Sequence, residues 1–455
     1  MLAQRLLLLV LLAAGCFNAD PYACHSEASC LDHERQGQCM ASGDGVSYCA
    51  FQDATCPSGM RWSQFAAASL AQTCVAVTRD AGADLSNQPP IAAFTVSADN
   101  VTVDEHQNFK VHIVAVDANN TKVPGYTGQP QLTTDWGDLH IGGTPDFSNG
   151  EAYATVSLNR ETDGMRMAHI KATDGAASGV SQDLTVKAPA WVVDQMNVFD
   201  LGSGWDSAFV GPPSMVRGQN GYYQAWYFGF SQNHTNDGIG HAVSNDGLTW
   251  LRESKPVFKA SQAGWDSTGV YTPSVQIDGN MYVMLYEGQG ANLDTEGFAV
   301  SMDGFNWTRN NAPILVQNAS MACPSILYGA LLVLSAGNYL VLGGSTPGTP
   351  CLLTTSDGGK TWPVNQVART AWTSGMGQVP VTLVKDGSVF RIWYWDGTGA
   401  SRYATSIDGQ SWIPSPSNPL STAPVTAVWN PDLSHYEGLV AGPMGSHRFD
   451  HATRP

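Results

Sequence analysis

The chain has 455 residues, of which 43% are hydrophobic and only 13% charged, and its formal net charge at pH 7 is −17. No cluster of Lys and Arg interrupts the acidity, which excludes a nucleic-acid partner, since phosphate binding needs grouped cations. Abundant Gly and Trp with sparse charge exclude intrinsic disorder and suit a β-rich chain of two or three domains.

Met1–Arg5 carries one basic side chain, Leu6–Leu12 is unbroken apolar sequence, and Ala13-Ala14-Gly15-Cys16 follows. The apolar run is too short to cross a membrane as a mature helix. It resembles a bacterial lipoprotein signal. That resemblance implies cleavage after residue 15, lipid attachment at Cys16, and Phe17 as the sorting residue toward the outer membrane of a Gram-negative envelope. Membrane contact would be through the lipid anchor only.

Residues 16–80 form a small Cys-rich module. Cys24, Cys30, Cys39, Cys49, Cys56 and Cys74 are an even, clustered set in an exported chain, which reads as three disulfides with fifteen possible pairings. No C-x-x-C pair or matched His spacing supports a metal site, and no cofactor is indicated. The run Tyr48-Cys49-Ala-Phe-Gln-Asp53 through Cys56-Pro-Ser-Gly59 resembles a short segment near the start of many myxobacterial surface lipoproteins. Residues 81–90 are a polar linker ending in Pro90. In 91–188, Phe109–Ile113, Ala152–Leu158, Met167–Lys171 and Leu184–Val186 alternate apolar and polar residues. About a hundred residues of such strands resemble a bacterial immunoglobulin-like β-sandwich used as a spacer.

From 189 to 455 one phrase recurs: Ser244-Asn-Asp246-Gly247-Leu-Thr-Trp250, Ser301-Met-Asp303-Gly304-Phe-Asn-Trp307, Thr355-Ser-Asp357-Gly-Gly359-Lys-Thr-Trp362 and Ser406-Ile-Asp408-Gly409-Gln-Ser-Trp412. Successive aspartates lie 57, 54 and 51 residues apart. Such a period marks stacked supersecondary units. Ser and Asp suit turns by bonding nearby amides, Gly supplies positive φ, and Trp plugs the next sheet. Before each turn come a Pro-started strand and an aromatic one, such as Pro213-Ser214 with Tyr222–Gly229 and Pro273-Ser274 with Met281–Gly288. A fifth unit, Ala423-Pro424 with His435–Gly442, lacks the turn phrase. Five units of short strands predict a five-bladed β-propeller in an all-β chain, with Trp191–Leu201 completing the last blade. Cys323 and Cys351 fall within one blade and are paired as Cys323–Cys351.

This propeller resembles the five-bladed fold of glycoside hydrolase families 32 and 43. The resemblance implies three carboxylates at the starts of the inner strands of blades one to three, each at or near a Pro; family 32 carries Asp-Pro, Arg-Asp-Pro and Glu-Cys-Pro there. Here the matching places read Gly211-Pro212-Pro213, Tyr271-Thr272-Pro273 and Ala322-Cys323-Pro324. Pro212, Thr272 and Ala322 thus stand in place of the acids, and none can move a proton or attack an anomeric carbon. Asp206, Asp266 and Glu287 are the fallback acids if hydrolysis persists in a displaced geometry. Asp206 and Asp266 recur in matching Gly-Trp-Asp-Ser loops, which fits a structural role equally.

The reading favours a lipid-anchored cell-envelope protein whose propeller binds poly- or oligosaccharide without cleaving it. Trp205, Trp265, Tyr271, Trp393 and Trp395 are candidate stacking platforms for the apolar faces of sugars, with Asp396 and Glu437 as hydroxyl acceptors. A glycoside hydrolase of the same fold and a protein-docking envelope scaffold remain as alternatives.

Overall fold

The computed structural model describes residues 89–455 except 219, 235–236, 291–293, 315–326, 345–350, 363–367, 370–378, 397, 399 and 443–446, together with 23–75 except 25–29, 33–34, 43–45, 54, 57, 65 and 68. The expected signal segment and Cys16 lie outside these residues. Among the described residues every regular element is a strand.

The N-terminal module is a three-stranded sheet of Gln38–Ala41, Ser47–Gln52 and Met60–Trp62. Its core is small, built around Tyr48, Ala50 and Trp62, so covalent bridges carry much of its stability. The six cysteines pair as Cys24–Cys39, Cys30–Cys49 and Cys56–Cys74.

Residues 89–455 cluster as a second compact unit. Its first part is one seven-stranded sheet in the order Leu139–Ile141, Glu151–Leu158, Phe109–Val116, Ala93–Ala98, Ala177–Val180, Ile170–Asp174, Gln131–Thr134. The two end strands come back beside each other, so the expected sandwich takes the form of a single sheet curled around its own core. Val111, Ile113, Val156, Leu158 and Ile170 fill that core and are fully buried. They sit at alternate positions of their strands, as one-sided burial requires.

The second part is a five-bladed propeller. Blade two shows the plan: Gly269–Asp278 innermost, then Met281–Gln289, Asp294–Ser301 and Trp307–Arg309, all antiparallel. Blade one repeats it from Phe209 to Arg252, blade three from Leu327 to Arg369, and blade four from Val379 to Pro414. Blade five takes Pro424–Asn430, His435–Ala441 and Phe449–Arg454 from the end of the chain. Its outer strand, Val192–Phe199, comes from before blade one. The inner strands of neighbouring blades touch in succession, and that of blade five touches that of blade one, which closes the ring.

Each recurring turn is held by its own residues. Asp246 Oδ1 accepts the N–H groups of Leu248 and Thr249, both at 2.8 Å, and Ser244 Oγ accepts that of Gly247 at 2.9 Å. Gly247 has φ +72°, and Trp250 Nε1 donates back to its carbonyl at 3.0 Å. Asp303 and Asp408 repeat the pattern. The N–H donors hold the Asp246 carboxyl below the usual range, that of Thr249 most strongly. The aspartates are thus turn caps.

The inner strands share a second local feature. The ladder slips between Tyr271 and Ser274, Pro380 and Thr382, and Pro424 and Thr426, and in blade one it breaks between Val210 and Ser214. Proline has no N–H for a ladder, so each Pro forces a bulge there.

The curled sheet docks on blades four and five through buried charge. Glu105, 1% exposed, accepts Arg391 Nη1 at 2.8 Å, Arg454 Nη2 at 2.5 Å and the Glu161 N–H at 2.7 Å. Arg391 also reaches Asp386 at 2.9 Å and the Asn159 carbonyl. Around this centre, Asp138 accepts the N–H and hydroxyl of Ser388 at 2.6 and 2.7 Å, and Ile413 of blade four packs against the sheet's core.

Candidate functional site

The bulges set the walls of the central channel. At the end where the inner strands start, the channel is a cavity of about 80 Å³ lined from all five blades. Pro212 and Thr272 lie on this wall, at the positions where the resemblance implies acids. Ala322 and Cys323 lie outside the described residues; Cys351 is disulfide-bonded. Among the described lining residues there is no carboxylate. The polar groups are hydroxyls and an amide, Ser214, Thr272, Ser274, Gln276, Tyr328, Thr382 and Thr426, and Trp395 supplies the one indole.

Several of these hydroxyls also stitch the blades together. Ser214 Oγ accepts the Val275 N–H at 2.8 Å, Ser274 Oγ that of Leu331 at 3.0 Å, and Thr426 Oγ1 that of Met215 at 2.9 Å. Thr272 is a β-branched residue at φ +41° and Tyr328 stands at φ +55°. Both conformations are costly away from Gly and occur where surrounding structure over-determines them.

Behind Thr272 lies a pair of carboxyls. Thr272 Oγ1 donates to Glu287 Oε2 at 3.2 Å. Glu287 faces Glu296 across neighbouring strands of blade two. Glu296 is fully buried; its Oε1 accepts the Gly329 N–H at 2.9 Å, while Oε2 has no hydrogen-bond partner among the described residues. Burial pushes the Glu296 carboxyl up to about 8, the Gly329 N–H opposes the rise, and the charge of Glu287 adds to it. Glu296 is therefore neutral at pH 7. Glu296 is not among the residues sequence reasoning selects. Its signal is a break in the repeat: five places before the turn Ser, blades one and four carry Ile239 and Ser401 where blade two carries Glu296.

The other candidate acids serve local braces. Asp206 Oδ2 accepts Tyr227 OH at 2.8 Å and Arg252 Nη1 at 2.9 Å. Asp266 Oδ2 accepts Tyr286 OH at 3.0 Å and Arg309 Nη1 at 2.5 Å. Trp205 and Trp265 stack on those same tyrosines, each with centroids 5.7 Å apart, and rest against Gly240 and Gly297, where a Cβ would collide with the indole. The matching loops thus recur because the brace recurs. Asp396 ion-pairs with Arg402 at 2.5 Å and caps a turn through Thr398. Glu437 is buried against Tyr223, Asn430 and His435.

Among the aromatics, Trp393 is fully buried beside Trp191, Tyr403 and Tyr436 and offers no face to a ligand. Tyr271 packs on Phe228 and donates to Gln289 at 3.2 Å. The structure brings together Trp395 and Thr272 on the channel, with Glu287 one hydrogen bond behind. Trp205, Trp265, Trp393, Asp206, Asp266, Asp396 and Glu437 all stand outside the lining.

The family model for the glycosyl hydrolases family 32 N-terminal domain matches residues 209–326, which run through blades one and two to the start of blade three. Among curated proteins no sequence matches the chain. Similar solved structures include a glycosyl hydrolase from Bacteroides ovatus, 15% identical over 58% of this chain and 93% of that one, with a TM-score of 0.44. A family 117 glycoside hydrolase from the marine bacterium Zobellia galactanivorans is 14% identical over 59% of this chain and 90% of its own, with a TM-score of 0.45. The GH43B protein of the Bacteroides ovatus xyloglucan PUL is 12% identical over 58% of this chain and 54% of that chain, with a TM-score of 0.43. The propeller is of the glycoside-hydrolase-like type, the family match falling on its first two blades, and Pro212 and Thr272 stand on its described channel wall.

Proposed function

We propose that the propeller binds carbohydrate without cleaving it, on an exported protein held to the cell envelope by lipid at Cys16. The observation that carries this reading is the channel wall. Pro212 and Thr272 occupy it, hydroxyls and an amide surround them, Trp395 offers an indole, and no described lining residue is a carboxylate. Hydrolysis of a glycosidic bond ordinarily needs two carboxyl groups flanking it. Hydrogen-bonding groups with an aromatic face suffice for recognition.

A hydrolase reading would rest on Glu287 and Glu296, one of them protonated at neutral pH as a general acid must be. Glu296 is fully buried, which argues against its reaching a substrate oxygen. The test is a glycan-array screen of the mature protein, followed by a reducing-end assay on every ligand found. Binding without release of new reducing ends is expected. Release that vanishes in Glu287→Gln would overturn the proposal in favour of hydrolysis. Lipid attachment is checked by metabolic labelling with palmitate, expected in the unaltered chain and lost in Cys16→Ser.

A further inference from the structure

We propose a second carbohydrate site, at the opposite end of the propeller, centred on Trp429 and built jointly by the propeller and the curled sheet. The inner strands all run the same way through the ring, so the ends of Pro424–Asn430 and its neighbours open on the face away from Pro212 and Thr272. Trp429 lies there, 37% exposed. It borders three concavities: the far mouth of the channel, about 310 Å³; a pocket beside Arg217 and Asp432, about 580 Å³; and a cleft against the curled sheet, about 510 Å³. Pockets for small organic ligands occupy roughly 300–1,000 Å³. The channel cavity at the other end is smaller, about 80 Å³.

The chemistry fits a neutral oligosaccharide. The Trp429 ring is fixed in place by His106 at 5.1 Å and by the edge of Tyr436 at 4.9 Å, so little side-chain freedom is lost on stacking a sugar face against it. Asn108 and His140 line the cleft wall opposite, and both side chains lack a protein partner among the described residues. They supply an amide and an imidazole for sugar hydroxyls. The acids and imidazoles of the cleft do not converge as a metal cage requires. Asp386 is paired with Arg391, and the oxygens of Asp138 are taken by Ser388 and Asn159, so the cleft keeps one hydrogen-bonded negative charge that disfavours anionic ligands. The buried Glu105 network locks the two walls together, so the cleft is preformed. Three concavities meeting at one indole suit a run of sugar residues better than a single one.

This site stands independently of the channel. The experiment is titration of the mature protein with cello-, xylo-, manno- and chito-oligosaccharides, followed by calorimetry and tryptophan fluorescence. Trp429→Ala is expected to weaken binding at least tenfold. His140→Ala and Asn108→Ala, exposed positions that leave the fold intact, are expected to weaken it severalfold. Leu251→Ala, an exposed position on the outer strand of blade one and outside all three concavities, should bind like the unaltered protein. Unchanged affinity in Trp429→Ala and His140→Ala overturns the site, as does an absence of binding across the panel. Loss confined to Trp395→Ala likewise overturns it and assigns binding to the channel.

Discussion

Replacing Glu105 by Gln keeps its shape and removes its charge. Two guanidinium groups depend on that charge, and both are essentially without solvent exposure. They do not suffer equally. Arg391 keeps Asp386 at 2.9 Å and the Asn159 carbonyl. Among the described residues Arg454 makes no second ion pair; it keeps the rings of Tyr403 and Trp393, at 4.5 and 5.3 Å, and a weaker electrostatic interaction with Glu161. Breaking a buried pair by removing one partner costs about 3–5 kcal/mol, and Arg454 is the residue that bears it. Whole domains are stable by only about 5–15 kcal/mol. In a body of this size roughly 2 °C of melting temperature accompanies each kcal/mol, so the expected loss at pH 7 is roughly 6–10 °C by calorimetry. The double variant Glu105→Gln/Arg454→Met should regain a good part of it, because the stranded charge is gone. Burial raises the Glu105 carboxyl, but Arg391 and Arg454 outweigh it and hold the group below its ordinary value. Its contribution is therefore present above the ordinary glutamate range and lost as pH falls through the lowered folded value. The gap between wild type and Glu105→Gln should close on acidification. A variant melting within 1–2 °C of wild type at pH 7 (about 1 kcal/mol on the same scale) would refute the assignment of Glu105 as the electrostatic centre of the junction.

Glu296 has the opposite sign: its folded value is raised to about 8, so stability should decline as pH rises from the ordinary glutamate range to about 8 and then level off. Glu296→Gln should flatten that decline, whose slope is about 1.4 kcal/mol for each step of one in pH; parallel pH profiles of urea midpoints would count against it. Asp303→Ala deletes the acceptor for the Phe305 and Asn306 N–H groups, with an expected loss of about 1–2 kcal/mol; an unchanged melting curve would mean the turn is held otherwise. Reduction of Cys24–Cys39, Cys30–Cys49 and Cys56–Cys74 should unfold the N-terminal module, each bridge being worth about 2–5 kcal/mol. Proteolysis after dithiothreitol would then cut within 23–75 first, and a module equally resistant when reduced would show that its small core suffices.

The propeller was legible because its punctuation is local. Asp246, Asp303, Asp357 and Asp408 cap turns with groups two to four residues away, and a strand start marked by Pro213, Pro273, Pro380 or Pro424 bulges for want of one N–H. Such causes are written within a few neighbouring residues. Which residues meet across blades is not. Trp393 and Trp395 sit two apart and are alike in sequence, yet one is in the interblade core and the other on the channel. The inner-strand bulge and neighbouring blades decide that. Glu105 reads as one acid in a polar turn, and only the docking of the curled sheet reveals two arginines waiting for it. The cysteine pairing was open for the same reason, since fifteen arrangements satisfy the same spacings.

The strand Phe449–Arg454 carries two closures at once. It is the partner through which Val192–Phe199 fastens the ring, and it delivers Arg454 to Glu105, 349 positions earlier in the chain. A chain emerging from its N-terminal end therefore exposes an unlatched blade edge, and leaves Glu105 without Arg454, until Phe449–Arg454 has been made. Such long-range pairing folds slowly and leaves edges open to other chains meanwhile. Under the export proposed above, this favours crossing the membrane unfolded: the native latch cannot close until Phe449–Arg454 arrives.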